Sequence, residues 1–279
     1  MSQRFQKLTD LMAALRAPNG CPWDRKQTHE SLKPYLLEET YEVLETIDHQ
    51  DRRKLSEELG DVLLQVLFHS QIAAEAGAFT IDDVLDRLAD KLVRRHPHVF
   101  PSGSQDPLPA NAEQVLAKWE DIKRAERQAE GQPQSVLNGV PQTLPALLRA
   151  YQIQARASRI GFDWSHDQAG FDQVLAKIEE EIRELRTALR QPSSSEARHR
   201  EINAEFGDVL FSLVNLARFI KVNPEDALRQ AVNRFVARFQ YVERQAAQAG
   251  RAVGELSFDE MNRLWEEAKQ QPPATETRG

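Results

Sequence analysis

Apolar residues recur at spacings of three and four along almost the whole chain, which is the pattern of amphipathic helices. Leu37, Tyr41 and Leu44, for example, form one stripe in a helix predicted over residues 32–48. The chain has no series of alternating apolar and polar runs with hairpin turns between them, which would predict β strands. We therefore predict an all-α protein.

Polar residues and proline predict where the neighbouring helices begin and end. The polar segment 49–51 separates the first helix from a second one that runs to about Gly77. Thr80 is expected to cap a third helix, which ends near His96 because Pro97 cannot continue it. The first half of the chain should therefore contain three consecutive helices.

Chain length and proline content predict the domain organisation. At about 100 to 200 residues per domain, the 279 residues correspond to about two domains. Residues 131–145 carry three prolines and two glycines, which is the composition of a linker. We predict an N-terminal helical domain over 1–130, this linker, a C-terminal helical domain over 146–270 and a disordered tail over 271–279.

One acidic pattern occurs in both predicted domains. A Glu-Glu-x-x-Glu segment is followed in each by Glu-x-Gly-Asp. The residue numbers differ by 142 in the first segment and by 147 in the second, and the additional residues fall in a polar turn at 191–195, where an insertion costs little. Duplication of one domain explains this pattern. The repeated acids are Glu38, Glu39, Glu42, Glu58 and Asp61, and then Glu180, Glu181, Glu184, Glu205 and Asp208.

The repeated acids are expected to converge on a cation. Helical spacing places Glu38 and Glu42 on one face, and it places Glu58 and Asp61 on one face of the next helix. Like charges at this spacing destabilise a helix by roughly 0.2–0.5 kcal/mol per pair, which a bound cation would offset. Ligands that offer only oxygen favour Mg²⁺ or Mn²⁺ over zinc. A cysteine zinc cluster is excluded because Cys21 is the only cysteine.

A Glu-rich helical face is most often solvated surface, and a single acidic segment would be interpreted in that way. Recurrence of the complete pattern favours a binding site instead. Gly60 and Gly207 strengthen this interpretation, because a glycine inside a helix costs about 1 kcal/mol. Each of these glycines indicates the close approach of another backbone or of a ligand.

Basic and aromatic residues also recur after each acidic pattern. Pairs of cations four residues apart are usually surface charge, but beside a metal cluster they would hold the oxygens of a polyphosphate. Each Trp-x-x-x-Lys segment offers a tryptophan either for core packing or for stacking on a base or sugar. The repeated residues are Lys91, Arg95, Trp119 and Lys123, and then Arg234, Arg238, Trp265 and Lys269.

These motifs resemble the MazG family of nucleoside triphosphate pyrophosphohydrolases, and the resemblance covers nearly the whole chain in the two-domain form of that family. The segments RRHPHVF at 94–100, KWEDIK at 118–123 and LWEEAK at 264–269 are also similar to family segments. The resemblance implies tandem helical-bundle domains that form a homodimer. It also implies Mg²⁺-dependent hydrolysis of NTP or dNTP to the monophosphate and pyrophosphate, with Mn²⁺ as a possible substitute.

The resemblance further implies which repeated acids hold the metal, and we assign a role in the hydrolysis to the two that are left. Glu180 and Glu38 remain after metal ligation and are candidates to orient or deprotonate the attacking water. The implied metal ligands are Glu181, Glu184, Glu205 and Asp208, and in the first domain Glu39, Glu42, Glu58 and Asp61.

The implied nucleotide contacts include all six repeated cations and both repeated tryptophans. One departure from the repeat concerns Lys54, which lies one turn before Glu58, whereas Glu201 occupies the equivalent place before Glu205. The implied contacts are Lys177, Glu180, Glu181, Arg234, Arg238, Trp265 and Lys269, and in the first domain Lys54, Lys91, Arg95, Trp119 and Lys123.

Charge and hydropathy restrict the partners and the location. The formal net charge is −7, from 36 Lys and Arg against 43 Asp and Glu, so a broad surface for direct nucleic-acid binding is not expected. The chain contains no run that approaches 18 apolar residues, and its first residues show helical spacing rather than a signal peptide. We expect a cytoplasmic protein without a membrane span.

Two other classes of protein are less consistent with the sequence. A ferritin-like di-iron bundle requires Glu-x-x-His on two helices, and this spacing occurs only from Glu196 to His199. A helical regulatory module that binds nucleotides without hydrolysing them is the alternative function. The carboxylates disfavour it, because phosphate binding alone prefers cations and helix N-termini.

Overall fold

The protein is described by a computed structural model. All regular structure in the described residues is helical, which confirms the predicted all-α class. None of the helices in that part of the chain is long and apolar enough to cross a membrane. The chain divides into two compact units, residues 1–124 and residues 125–279. The residues that the structure describes are 3–100, 111, 114–115, 118–119, 122–123, 125–126, 135–190 and 196–271.

The first unit is organised around one long helix, α4. Helices α1, α3 and α5 all pack against α4, and α2 packs against α1. Met12, Leu32, Leu67 and Phe68 form the buried apolar cluster between them. The helices of this unit are α1 (Gln3–Arg16), α2 (Pro22–Lys26), α3 (Lys33–Asp48), α4 (Arg52–Glu75) and α5 (Ile81–Arg95), and residues described between 114 and 123 are also helical.

Local capping explains the ends of α4 and α5. The Asp51 side chain accepts hydrogen bonds from the first backbone amides of α4, and Gly77 takes a left-handed φ of 67° just after this helix ends. Thr80 and Asp83 form a reciprocal capping box at the start of α5. The three predicted helices are therefore confirmed. Most of the loop predicted after Pro97 lies outside the described residues.

The second unit repeats the central helix pair of the first. Helices α7 and α8 pack closely against each other, α6 packs on α8, and α9 packs on α6 and α10. Val174, Ile178, Val209 and Val214 are buried in this unit. Its elements are α6 (Ala146–Arg159), α7 (Gln168–Arg190), α8 (Glu196–Phe219), α9 (Pro224–Gln248), a 3₁₀ turn (Val253–Glu255) and α10 (Phe258–Gln270).

Part of the predicted linker packs on the second unit. The Arg156 guanidinium of α6 donates to the carbonyl oxygens of Asn138 and Gly139. Residues 131–134 and 272–279 lie outside the described residues. The predicted limits of the two domains, the linker and the tail therefore stay predictions.

A buried ion pair fixes the loop before α7 to the end of α8. Arg218 Nη1 lies 2.7 Å from Asp163 Oδ2, and both side chains are only 9% exposed. Ser158 Oγ also donates to Asp163 Oδ2 at 2.6 Å. Burial alone would raise the pKa of Asp163, but the hydrogen bonds from Arg218 and Ser158 outweigh burial and lower this pKa.

Replacing Arg218 with methionine should destabilise the second unit by about 3–5 kcal/mol, because Asp163 would keep a buried and unpaired charge. The measurement is the midpoint of urea unfolding at pH 7. Because the pKa of Asp163 is lowered by folding, the stabilisation is complete above the ordinary carboxyl pKa of about 3.9. It is then lost as the pH falls through the lower pKa of the folded state.

The matched control is Arg263→Met, which removes an exposed partner of Glu267 at 4.0 Å and should change the unfolding free energy by less than about 1 kcal/mol. Equal unfolding midpoints for Arg218→Met and Arg263→Met would contradict the stabilising role of the buried pair.

Candidate active site and metal centre

Helices α3 and α4 bring three predicted metal ligands together in the first unit. One carboxylate oxygen from each of Glu39, Glu42 and Glu58 lies within 4.8 Å of the other two. Glu58 is buried at 8% exposure, while Glu39 and Glu42 are partly accessible. The negative charge of Asp61 acts on both Glu39 and Glu58. We call these four residues the first acidic cluster.

Helices α7 and α8 build the same arrangement in the second unit. One carboxylate oxygen from each of Glu181, Glu184 and Glu205 lies within 4.8 Å of the other two. Glu181 is buried at 6% exposure. Glu205 Oε2 is buried without a hydrogen-bond partner in the described part of the chain, and the charge of Asp208 also acts on Glu205. We call these four residues the second acidic cluster.

The carboxylates of both clusters oppose one another's ionisation. The pKa of Glu39 is raised by burial and then by Asp61 and Glu42. Burial and Glu42 raise the pKa of Glu58, although Lys54 opposes them. Burial, followed by Glu184, Asp208 and Glu181, raises the pKa of Glu205. Each cluster therefore concentrates more negative charge than its described neighbours neutralise.

The two clusters fit a hard divalent cation. All of their donors are carboxylate oxygens, which such cations prefer. Oxygens on opposite sides of one octahedral Mg²⁺ lie about 4.2 Å apart, because each Mg–O distance is about 2.1 Å. Carboxylate oxygens within 4.8 Å of one another are therefore near enough to share one cation. A cation would also give the orphaned Glu205 Oε2 a partner.

Each cluster pairs with one lysine, and the two lysines come from different helices of the acidic helix pair. Lys177 of α7 lies 2.7 Å from Glu181 Oε1, and its pKa is raised by hydrogen bonds with Glu181 and Glu180. Lys54 of α4 lies 3.9 Å from Glu58 Oε1. At the position equivalent to Lys177 the first unit has Tyr35, and at the position equivalent to Lys54 the second unit has Glu201. The lysine missing before Glu205 is therefore replaced by one on the neighbouring helix.

The two candidate general bases have different surroundings. Glu180 Oε1 accepts a hydrogen bond from Lys177 Nζ at 2.9 Å. Glu38 is exposed on α3, beside Glu39. Glu180 would have to leave Lys177 before it acted as a base, so the catalytic roles of Glu180 and Glu38 stay predictions.

Two of the repeated basic and aromatic residues of the second unit, Arg238 and Trp265, contact each other. The ring centroids of Trp265 and Phe235 lie 5.0 Å apart. The Arg238 guanidinium carbon lies 5.8 Å from the centroid of the Trp265 ring. Lys269 pairs with Glu266 at 2.6 Å. Among the described residues, the hydrogen bonds, ion pairs and ring contacts of Arg234, Arg238 and Trp265 do not reach the second acidic cluster. Their predicted nucleotide contacts stay predictions.

The corresponding residues of the first unit lie on and after α5. Lys91 is exposed and Arg95 is partly buried at the end of this helix. The Trp119 ring meets the His96 ring edge-on at 4.8 Å. Lys123 is partly buried, and its predicted nucleotide contact, like those of Lys91, Arg95 and Trp119, stays a prediction.

Within the described part of the chain, no other backbone contacts the two helical glycines. Apart from the adjacent residues and the nearby backbone of the same helix, no described atom lies within 4 Å of a Cβ built on Gly60 or on Gly207. Of the two predicted alternatives, the approach of another backbone is not seen among the described residues, and the approach of a ligand stays a prediction. Each glycine instead leaves an open surface beside its acidic cluster, where a ligand has room.

A cavity of about 520 Å³ adjoins the second acidic cluster, and the sequence analysis did not predict it. Lys177, Glu181 and Asp208 border it together with residues of α6 and α8. The repeat contains a signal that would have indicated this space. Small or polar residues, Ser212 and Asn215, stand where the first unit has Gln65 and Phe68.

Comparison with known proteins agrees with this geometry. Residues 27–100 and 170–243 each match the MazG nucleotide pyrophosphohydrolase domain, and each match contains one acidic cluster. The chain is 48% identical to the nucleoside triphosphate pyrophosphohydrolase/pyrophosphatase MazG of Thermotoga maritima over 95% of both chains. It is 42% identical to the nucleoside triphosphate pyrophosphohydrolase of Escherichia coli K12, over 96% of this chain and 98% of that protein. The chain belongs to the MazG nucleotide pyrophosphohydrolase family.

Proposed function

We propose that this protein hydrolyses nucleoside triphosphates, as NTP or dNTP, to the monophosphate and pyrophosphate with the help of Mg²⁺. The observation that carries the proposal is the convergence of three carboxylates within 4.8 Å in each segment that matches the family. The names of the relatives in Thermotoga maritima and Escherichia coli, both nucleoside triphosphate pyrophosphohydrolases, support the same reaction.

The carboxylates of the acidic clusters are the proposed metal ligands. Mg²⁺, or Mn²⁺ in its place, would withdraw charge from the phosphate oxygens and lower the pKa of a bound water. Glu180 in the second unit and Glu38 in the first would orient that water or accept its proton. The proposed ligands are Glu181, Glu184, Glu205 and Asp208, and in the first unit Glu39, Glu42, Glu58 and Asp61.

Lys177 is proposed to exchange partners when a metal-nucleotide complex binds. In the structure it neutralises Glu180 and Glu181. A cation among the carboxylates would weaken these ion pairs and leave the Lys177 ammonium group available for a phosphate oxygen. Arg234, Arg238 and Lys269 are proposed to stabilise the departing pyrophosphate. Release of Lys177 would at the same time free Glu180 for its role as a base.

We propose that a second copy of the chain completes the helical bundles. The apolar stripe of α3 faces outward in the single chain, where Leu37 is 60% exposed, Ile47 is 53% exposed and Tyr41 is also exposed. Exposed apolar residues on one helix face are typical of a protein interface.

A cytoplasmic location and the lack of direct nucleic-acid binding stay predictions from the sequence.

Mg²⁺ alone should raise the thermal unfolding midpoint by several degrees, because it binds the folded carboxylate clusters in preference to the unfolded chain. The measurement is thermal unfolding followed by circular dichroism in 5 mM MgCl₂, against NaCl of equal ionic strength. A chain with glutamine at positions 39, 42, 181 and 184 serves as the control and should not respond. An equal response of both proteins would contradict preformed metal sites.

The combined substitutions Glu181→Gln and Glu184→Gln should lower pyrophosphate release from NTP by about 100-fold or more if the second unit carries most of the activity. We expect this unit to dominate because Arg234 and Arg238 lie within the continuous helix α9, whereas α5 ends at Arg95, immediately before His96 and Pro97. The measurement is the release of pyrophosphate and of orthophosphate with and without Mg²⁺.

Two comparisons make this result decisive. Glu179→Gln with Glu243→Gln removes two exposed acids outside the cluster and should leave the rate unchanged. Glu39→Gln with Glu42→Gln should lower the rate of pyrophosphate release less than Glu181→Gln with Glu184→Gln. Activity that depends only on the first pair of acids would overturn the preference for the second unit, and nucleotide binding without pyrophosphate release would favour the regulatory module.

The chain in solution should have twice the monomer mass of 31.8 kDa. Light scattering coupled to gel filtration measures this mass. Leu37→Lys with Ile47→Lys should shift it toward the monomer, since charge would be placed in the covered face. A monomer for the unaltered chain would contradict the proposed dimer.

A further inference from the structure

We propose that the cavity between α6, α7 and α8 holds the nucleobase of the substrate, and that Gln154 reads the base through a hydrogen bond to its Oε1. The inference rests on the proposed function, because it assumes that a nucleotide binds at the second acidic cluster.

The size and the walls of the cavity suit a heteroaromatic ring. Its volume of about 520 Å³ lies within the range of about 300–1,000 Å³ that is typical of small-molecule sites. Trp164, Ile160 and Phe211 contribute apolar surface to its lining. Aromatic side chains stack on the flat face of any base. The walls can therefore hold a base without selecting which one.

The position of the cavity matches the geometry of a nucleotide. Lys177, Glu181 and Asp208 border it, and these residues belong to the acidic cluster or pair with it. A nucleotide with its phosphates at the cluster would have a base within reach of the neighbouring space. Trp265 packs against Phe235 and Arg238 instead, so it is not the base-binding surface in this proposal.

Gln154 provides the group that distinguishes bases. The residue is only 8% exposed, and its Nε2 donates to the carbonyl oxygen of Phe211 at 2.8 Å. Because a carbonyl oxygen only accepts, this bond fixes which end of the amide is nitrogen. Gln154 Oε1 is then left buried without a hydrogen-bond partner in the described part of the chain. Buried acceptors are normally paired, so an N–H donor of a ligand is the expected partner.

Asn215 provides a complementary donor at the same cavity. Its Oδ1 accepts from Arg218 Nη2 at 2.7 Å, so its Nδ2 is the group that it offers to a ligand. Arg218 is itself held by Asp163. The cavity thus combines an acceptor from Gln154 with a donor from Asn215. Adenine, for example, presents an amino donor beside a ring nitrogen that accepts, so it complements both groups.

The duplication shows that this space belongs to the second unit. The residues equivalent to Ser212 and Asn215 are Gln65 and Phe68, and both of these larger side chains are buried. Phe68 also contacts Trp23, with ring centroids 6.4 Å apart. At these two positions the first unit therefore carries larger side chains, and the second unit carries smaller ones.

The first test compares ATP with purine riboside triphosphate, whose base has no N–H donor. The full chain carries Glu39→Gln and Glu42→Gln, so that the second unit supplies the activity. We expect kcat/KM for ATP to be higher by about tenfold or more, because the donor-free base leaves Gln154 Oε1 unpaired. Gln154→Leu should bring the ratio of kcat/KM for ATP to kcat/KM for purine riboside triphosphate close to one, mainly by lowering kcat/KM for ATP.

The matched control is Gln152→Leu, which makes the same change on the same helix at a position that does not line the cavity. The ratio of the two kcat/KM values should stay the same as in the parent chain with Glu39→Gln and Glu42→Gln. A ratio near one in the parent, or a ratio that Gln154→Leu leaves unchanged, overturns the proposal. An equal fall of the ratio in Gln152→Leu also overturns it.

A second variant tests the cavity by filling it. Ser212→Gln with Asn215→Phe introduces the residues that the first unit carries at the equivalent positions of its own acidic helix pair. The Kd for AMP should rise by about tenfold or more, while the stabilisation by Mg²⁺ alone stays as in the parent. An unchanged Kd for AMP overturns the proposal.

The outcomes separate this inference from the proposed function. Absence of pyrophosphate release from every nucleotide would refute the function, and calorimetry with AMP and purine riboside monophosphate would still test base reading. Tighter binding of AMP that disappears in Gln154→Leu supports the inference in that case. Pyrophosphate release from both triphosphates at equal kcat/KM overturns the inference and leaves the function intact.

Discussion

Repulsion between carboxylates on two packed helices is the constraint that shapes both units. Three acidic oxygens lie within 4.8 Å in each cluster, and the most buried acids, Glu58 and Glu181, have little access to water. Such an arrangement costs free energy unless packing elsewhere holds the helices together and a cation reduces the charge. In the second unit the packing comes from Val174 and Val209, while Lys177 supplies a positive charge.

The two units meet this constraint with different residues. The first places Lys54 on the second helix of its acidic pair, and the second places Lys177 on the first helix. Each lysine lies one turn before a buried glutamate, so the electrostatic result is similar. The surrounding residues have diverged further, since Ser212 and Asn215 line a cavity where the first unit has Gln65 and Phe68. Duplication therefore conserved the charge arrangement more closely than the shape beside it.

The outward apolar face of α3 links the fold to assembly. Periodicity identified this face as the packing side of the helix, and α3 does form over the predicted residues. Within one chain, however, Leu37, Tyr41 and Ile47 remain exposed, and the buried residue of the helix is Thr46. An apolar stripe predicts that another protein surface buries it. It does not predict whether that surface belongs to the same chain or to a second copy. The same reasoning applies to the open surfaces beside Gly60 and Gly207.

The sequence by itself determined the features that depend on local spacing. The helices over 32–48 and after Thr80 follow from apolar periodicity and capping, and the shared faces of the acids follow from the helical repeat. The repetition of the whole pattern then indicated a site rather than a solvated surface. These predictions succeeded because each relates residues within a few helical turns.

The tertiary structure alone decided which distant side chains meet. Arg218 pairs with Asp163 across 55 residues, and Gln154 bonds to Phe211 across 57. Local periodicity carries no information about such contacts, because they depend on how α6, α7 and α8 pack against one another. The orphaned Oε1 of Gln154 and the cavity beside it are products of that packing. The sequence thus determined the helices and the acids that they carry, and helix packing determined the geometry of the proposed site.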